Sequence, residues 1–567
     1  MRIPILTRRR VTTTATLLVV AGAITASTAN RKFYSDDPIA REPDSQDAVK
    51  AEPWDIDLFY DLSYNLFVTG RREPADVRAR NINTIDEVPD SSWFTNRIGS
   101  REMSEAEILR GPEDGDAPDS SKWTLIREKS SGFAPGFTAR DAKGSTWFIS
   151  FDPPSNPEGS TGALVVATKI FHALGYNQVD SFITEVRADD SLVIDANATV
   201  KRPNGNRTPM TRDDLHEVLE RAHRDGDGVY RAAAGRLIPG RILGGFRYVG
   251  TRPDDPNDIV PHEHRRELRA LRVFGAWTNL TDMKAGNTLD ALVEEGGRHV
   301  IRHYLQDVGS TFGMGANGPH EWDEGFEYIY DGADTRRRLL TFGFSLSPWQ
   351  LADYDPYYKS IGRFEAERFD PATWKPRVPT AAYLHMRDDD GFWAAQRVMA
   401  FSDATIRAIV KAGEFSEPGA AGYLANTLIA RRDKIGRTYL TRLVPVVSPS
   451  LDAGGVLTFT NIAARYALAP DPSAWKAAWF AFDNTTGQSR PIGETTASSP
   501  RLTAPSGVPS AAGSYVRVDV SADHPQHPRW ATPVHIYFRR EAAGWKLVGL
   551  ERMPEAGPAA ATARDGQ

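Results

Sequence analysis

Between residues 262 and 311 the chain changes its hydrophobic period three times, and the order of those changes constrains the fold more than any other feature. Leu268, Leu271, Phe274 and Trp277 recur at close to one helical turn, so they share one face of an amphipathic helix. The period then breaks at Asp282, Lys284 and Asn287, which stand at D-x-K-x-x-N spacing. Residues 288–293 alternate, Gly296 and Gly297 mark a turn, and residues 298–305 alternate again, which reads as a hairpin. Asp307 and Gly309 follow as D-x-G, with Asp307 twenty residues beyond Asn287.

The residue types in these two loops are those that phosphoryl transfer requires. One carboxylate orients the attacking hydroxyl, and a Lys on the same loop steadies the transferring phosphate. An Asn and a second Asp hold Mg²⁺ against the phosphates of ATP. Residues 123–176 add a second run of elements. Strands are expected at 123–127, 137–140 and 146–151, with a glycine-containing connection carrying Gly132 and Gly136 between the first two. A helix is expected at 161–174, closed by Gly175.

Taken together, residues 123–442 resemble the protein-kinase-like superfamily. The texture is similar to a group of uncharacterised exported bacterial proteins with a K-F-D-P strand end, a D-x-K-x-x-N loop and a D-F-G-S-T loop. The corresponding stretches here are Ser150 to Pro153, Asp282 to Asn287, and Asp307 to Thr311. The resemblance implies an α+β, bilobal core with a small β-rich N-lobe and a larger helical C-lobe. It implies ATP and Mg²⁺, with Asp282 as catalytic base, Lys284 at the γ-phosphate, and Asn287 and Asp307 as metal ligands. Gly132 and Gly136 would then lie over the nucleotide. The phosphoacceptor is expected to be a protein, a peptide or an envelope carbohydrate.

Two positions depart from the family pattern. The strand-three lysine is Ser150, and its glutamate partner on the following helix is Leu164. Both halves of that ion pair are missing together. Either the chain is a catalytically inactive pseudokinase or scaffold, or another basic residue has taken over the phosphates. Lys129, Arg140, Lys169 and Arg236 are the candidates.

The remaining sequence sets boundaries. Arg8, Arg9 and Arg10 precede an apolar run and small residues, so residues 1–29 read as an export signal and the mature protein is expected outside the cytoplasm. The absence of Cys excludes thiol catalysis and Cys-based zinc sites. A net charge of −6 gives no footprint for nucleic acid. His262, His264, His299 and His303 lack a marked third ligand, and no P-loop occurs. Residues 30–121 are expected to pack on the core as an extension, 122–260 to form the N-lobe and hinge, and 261–444 the C-lobe. Short alternating runs in 445–554 predict an all-β, sandwich-like module, followed by a disordered tail at 555–567.

Overall fold

The computed structural model describes residues 31–69, 76–129, 134–202 and 204–554. The expected export signal, Gly132 and the expected tail lie outside the described residues. The chain is a mixed α/β protein with one large sheet, several helices and a C-terminal region rich in antiparallel strands.

Two helices precede the sheet. α1 (Leu58–Phe67) begins where the Asp57 carboxylate accepts from the Tyr60 amide, and α2 (Glu105–Arg110) opens on a Ser104–Glu107 capping box. The first strands are β1 (Trp123–Glu128), β2 (Gly136–Arg140) and β3 (Thr146–Phe151). After β3 comes α3 (Gly159–Leu174), then β4 (Ser181–Arg187), β5 (Leu192–Lys201), β6 (Arg207–Pro209), α4 (Arg212–Glu220) and β7 (Val229–Arg236). These strands form a seven-stranded sheet in the order β4-β7-β3-β2-β1-β5-β6, in which only β1 and β5 pair parallel. Alternation sends Trp147, Ile149 and Phe151 of β3 to one face, where they share an apolar core with Leu219 of α4. Ser150 belongs to the opposite face.

α3 starts at Gly159 for a reason visible in the sequence. Asp152, next to Pro153, turns its buried carboxylate onto the helix start, accepting from the Thr161 amide at 2.8 Å and the Thr161 hydroxyl at 2.7 Å. A carboxylate there satisfies orphan amides and the helix dipole. The F-D-P stretch is thus a structural joint between β3 and α3.

The central unit runs β8 (Arg241–Gly244), α5 (Arg266–Thr278), β9 (Thr288–Glu295) and β10 (Arg298–Leu305). β9 and β10 pair in register from Leu305 opposite Thr288 to Arg298 opposite Glu295, and β8 joins β9. α5 is buried along almost its whole length and ends at Asn279, whose φ of 56° supplies the left-handed cap. After it come the short α6 (Gly332–Leu340) and α7 (Ala381–Leu384), then α8 (Asp388–Met399), α9 (Asp403–Lys411) and α10 (Ala420–Tyr439). Leu424, Leu428 and Ile435 of α10 pack in the same core as Phe274 and Trp277 of α5.

Beyond Val446, two antiparallel sheets share one apolar core. One holds residues Val446–Leu451, Val456–Asn461 and Arg501–Thr503; the other holds Ala474–Phe482, Ser489–Ala497, Tyr515–Asp523, Val534–Glu541 and Gly544–Glu551.

Of the strands that escaped sequence reasoning, two have a visible cause. β7 reads V-Y-R-A-A-A-G-R and has no alternation. Ser489–Ala497 is an edge strand that tolerates Pro491 and Gly493.

Candidate functional site

The two polar loops of the sequence meet because the β9–β10 hairpin returns the chain to its starting point. The Asn287 carbonyl accepts from the amides of Gln306 and Asp307, at 3.1 and 3.2 Å. Asn287 and Asp307 are therefore neighbours across one hydrogen-bonded joint. The Asn287 side-chain amide donates to the Asp282 carbonyl at 2.8 Å, which fixes the D-x-K-x-x-N loop as a closed turn and leaves Oδ1 of Asn287 as an oxygen donor. Lys284 Nζ donates to Asp282 Oδ2 at 2.7 Å, and both side chains are partly exposed. No described residue bonds to Asp282 Oδ1. Asp307 is exposed, and its Oδ1 accepts from the Gly309 amide at 3.1 Å, so its other oxygen faces outward.

Helix α3 meets the D-x-G loop through Leu164. A Cβ built at Gly309 would lie 3.6 Å from Leu164, so α3 packs its Leu164 against the D-x-G loop. Lys129 follows β1. An irregularity between Leu125 and Arg127 shifts the register, so that Leu125 opposes Ala139 but Arg127 opposes Thr138. Thr138 opposes Phe148, and Phe148 shares a face with Ser150. The bulge thereby moves Arg127 from the apolar face to the face of Ser150. Burial lowers the pKa of the half-buried Lys129 ammonium, and the Asp307 carboxylate acts against that shift.

The other nominated groups lie elsewhere. Arg140 pairs with Asp195 at 3.3 Å, at the end of β2 remote from Gly136. Arg236 pairs with Asp180 at 3.1 Å and covers the Trp147 ring. Lys169 is buried in an ion pair with Glu113 at 2.7 Å. None of the three contacts the polar loops. Gly136 has a structural reason of its own: a Cβ there would lie 2.2 Å from the Ile149 carbonyl, so glycine lets β2 and β3 approach. Two of the histidines, His262 and His303, are engaged by carboxylates. His262 bonds Asp258 and His303 bonds Asp290, each at 2.7 Å, with Trp93 stacked 3.6 Å from the His303 ring. No cluster of three or more His, Asp or Glu suited to a metal occurs among the described residues.

A layer beneath the D-x-K-x-x-N loop was not legible in the sequence. His320 is buried, with Nε2 3.0 Å from Ser310 Oγ and Nδ1 3.3 Å from Asn279 Nδ2. Thr281, adjacent to Asp282, donates to Glu324 at 2.5 Å. Burial lowers the His320 pKa, opposed by the charges of Glu324 and Asp282. A lone His and a lone Glu in a loop region carry no spacing signal. From the other side, Leu58 of α1 reaches the loop: a Cβ at Gly286 would meet it at 3.2 Å.

The donor set fits a hard divalent cation. A carboxylate and an amide oxygen, both partly open to solvent, are ligands of the type Mg²⁺ accepts, and it keeps water for the rest.

No family model matches the chain, and no curated protein matches it. Among solved structures, it is similar to a crystal structure of the Golgi casein kinase at TM-score 0.31 and 9% identity, covering 70% of this chain and 93% of that one. A second, of the Golgi casein kinase with Mn/ADP bound, gives TM-score 0.30 and 9% identity over 71% and 93%. Likeness at that level assigns neither a fold nor an activity.

Proposed function

We propose that the chain has a bilobal, protein-kinase-like core that binds Mg·ATP between the large sheet and the two polar loops, with a C-terminal β-sandwich-like module appended. The observation that carries this reading is the hydrogen-bonded joint between Asn287 and Asp307. Asn287 Oδ1 and the Asp307 carboxylate would hold Mg²⁺, whose charge would neutralise the phosphates when bound. Lys129 takes the phosphate-binding role that Ser150 cannot fill. Asp282, through Oδ1, accepts the proton of an acceptor hydroxyl, while Lys284 holds Oδ2 and offers its remaining N–H groups to the transferring phosphate. The acceptor is a protein, a peptide or an envelope carbohydrate, and the protein works outside the cytoplasm.

A second reading, a nucleotide-binding pseudokinase or scaffold, is favoured by one observation. Leu164 meets the D-x-G loop where an acidic partner would anchor a phosphate lysine, so Lys129 has no second carboxylate beside it there.

The test is thermal unfolding with Mg·ATP and with ATP plus chelator. A ligand that binds only the folded state at a hundredfold excess over Kd stabilises by about 2.7 kcal/mol. A Mg²⁺-dependent shift is expected, lost in Asp307→Ala and reduced in Lys129→Ala. Phosphate transfer is expected to vanish in Asp282→Asn while the shift persists. No shift with any nucleotide would sink the reading. A shift without transfer to any acceptor would select the pseudokinase.

A further inference from the structure

The segment from α6 onward has an unusual surface. Residues 335–352 contain three consecutive arginines, Arg336 to Arg338, and no acidic residue. Immediately after them Leu339 and Leu340 are 75% and 72% exposed, and Phe342 and Phe344 are each 88% exposed. The chain turns at this point through Phe342 and Gly343, with φ of 49° and 80°, and the apolar side chains on either side of the turn are exposed. Phe342 and Phe344 have no aromatic partner among the described residues. Arg337 and Arg338 neutralise Asp334 and Glu327, and Arg336 is exposed with no acidic partner among the described residues.

Burying this stretch against a protein would require a matching groove in the partner. A bilayer interface requires none: it takes apolar side chains into the acyl boundary while arginines meet anionic headgroups. This stretch therefore combines the two features that an interfacial segment needs, an exposed cation at Arg336, unpaired among the described residues, and exposed apolar side chains beside it.

We propose that residues 335–352 form a membrane-docking element that seats on an anionic phospholipid surface. The element touches the polar loops indirectly. Tyr330, just before α6, packs on Phe67 of α1 with ring centroids 5.5 Å apart, and Leu58 at the other end of α1 covers Gly286. Docking would set that end of the molecule toward the bilayer. The inference does not depend on nucleotide binding.

The chain has no Cys, so Phe344→Cys gives a single labelling site for an environment-sensitive fluorophore on the full-length protein. With phosphatidylglycerol vesicles, the emission is expected to shift to the blue at position 344. A label at Thr485→Cys in the C-terminal region is expected to stay unchanged, which separates insertion of this stretch from adsorption elsewhere. Arg336→Glu should weaken the response roughly tenfold to thirtyfold, since it reverses one charge near the headgroups. No shift at 344 would overturn the proposal. So would an equal shift with phosphatidylcholine vesicles, or a shift that follows protein concentration without lipid, which would mark a contact between copies.

Discussion

The core around α5 and the core of the C-terminal β region are built from opposite materials. Around α5, Arg252, Arg265, Arg266, Arg269 and Arg397 are fully buried. Arg266 meets Asp86, Asp389 and Asp390 at 3.0, 3.4 and 2.9 Å, and Arg269 meets Asp390 at 3.1 Å. Arg252 pairs with Asp290 at 3.1 Å behind the β9–β10 hairpin. In the C-terminal region, by contrast, Trp475, Trp479, Val518, Ile536 and Phe538 form a core with no ion pair inside it. A buried charge tolerates one arrangement only, because an unpaired charge in the interior is costly; apolar side chains repack at small cost. The ionic core therefore acts as a set of position-specific locks. It ties segments as distant in sequence as Asp86, Arg266, Asp390 and Arg552 around the helix that leads into Asp282. The C-terminal core supplies stability without fixing any polar group near the loops.

The sharpest way to break this contrast is Asp390→Ala. It leaves Arg266 and Arg269 short of a carboxylate and should cost about 3–5 kcal/mol in denaturant unfolding. A loss no larger than that of an apolar trimming in the C-terminal core would refute the lock picture.

Acid titration gives an intermediate effect. Burial would raise the pKa of Asp258, but the hydrogen bond and charge of His262, with His303 and Arg265, hold it at about 2. A carboxylate depressed from about 3.9 contributes stability that is present above pH 4 and lost as the pH falls through about 2. Asp258→Asn should therefore be less stable than the parent by about 2–3 kcal/mol at pH 5. That gap should close as the pH drops toward 2. A gap that stays constant with pH would show that the loss is one of packing.

The smallest effect belongs to the apolar core. Ile536→Val removes one buried methylene and should cost about 0.5–1.5 kcal/mol, independent of pH and of nucleotide. If it disturbed the nucleotide-dependent thermal shift, the separation between the two regions would be wrong.

Much of the site could be read without coordinates because its residues are local. Asp282, Lys284 and Asn287 occupy one turn, and a hairpin of two alternating strands is the shortest device that returns Asp307 to Asn287. Periodicity also placed β1, β2, β3, α3 and α5 to within a few residues, since each has one clearly apolar face. β7 was missed because an alanine run has no face to detect.

The sequence alone determined which elements form here and which residue types stand on the polar loops, since both follow from local spacing. Tertiary structure alone decided what each basic residue meets. Lys129, Arg140, Lys169 and Arg236 are chemically equivalent candidates in the sequence, and strict alternation would place Lys129 on the apolar face with Leu125. One bulge between Leu125 and Arg127 inverts that parity just before Lys129, while Asp195, Glu113 and Asp180 engage the other three. A two-residue period carries no record of where it slips, because the slip is set by pairing with β2 and β5 across the sheet.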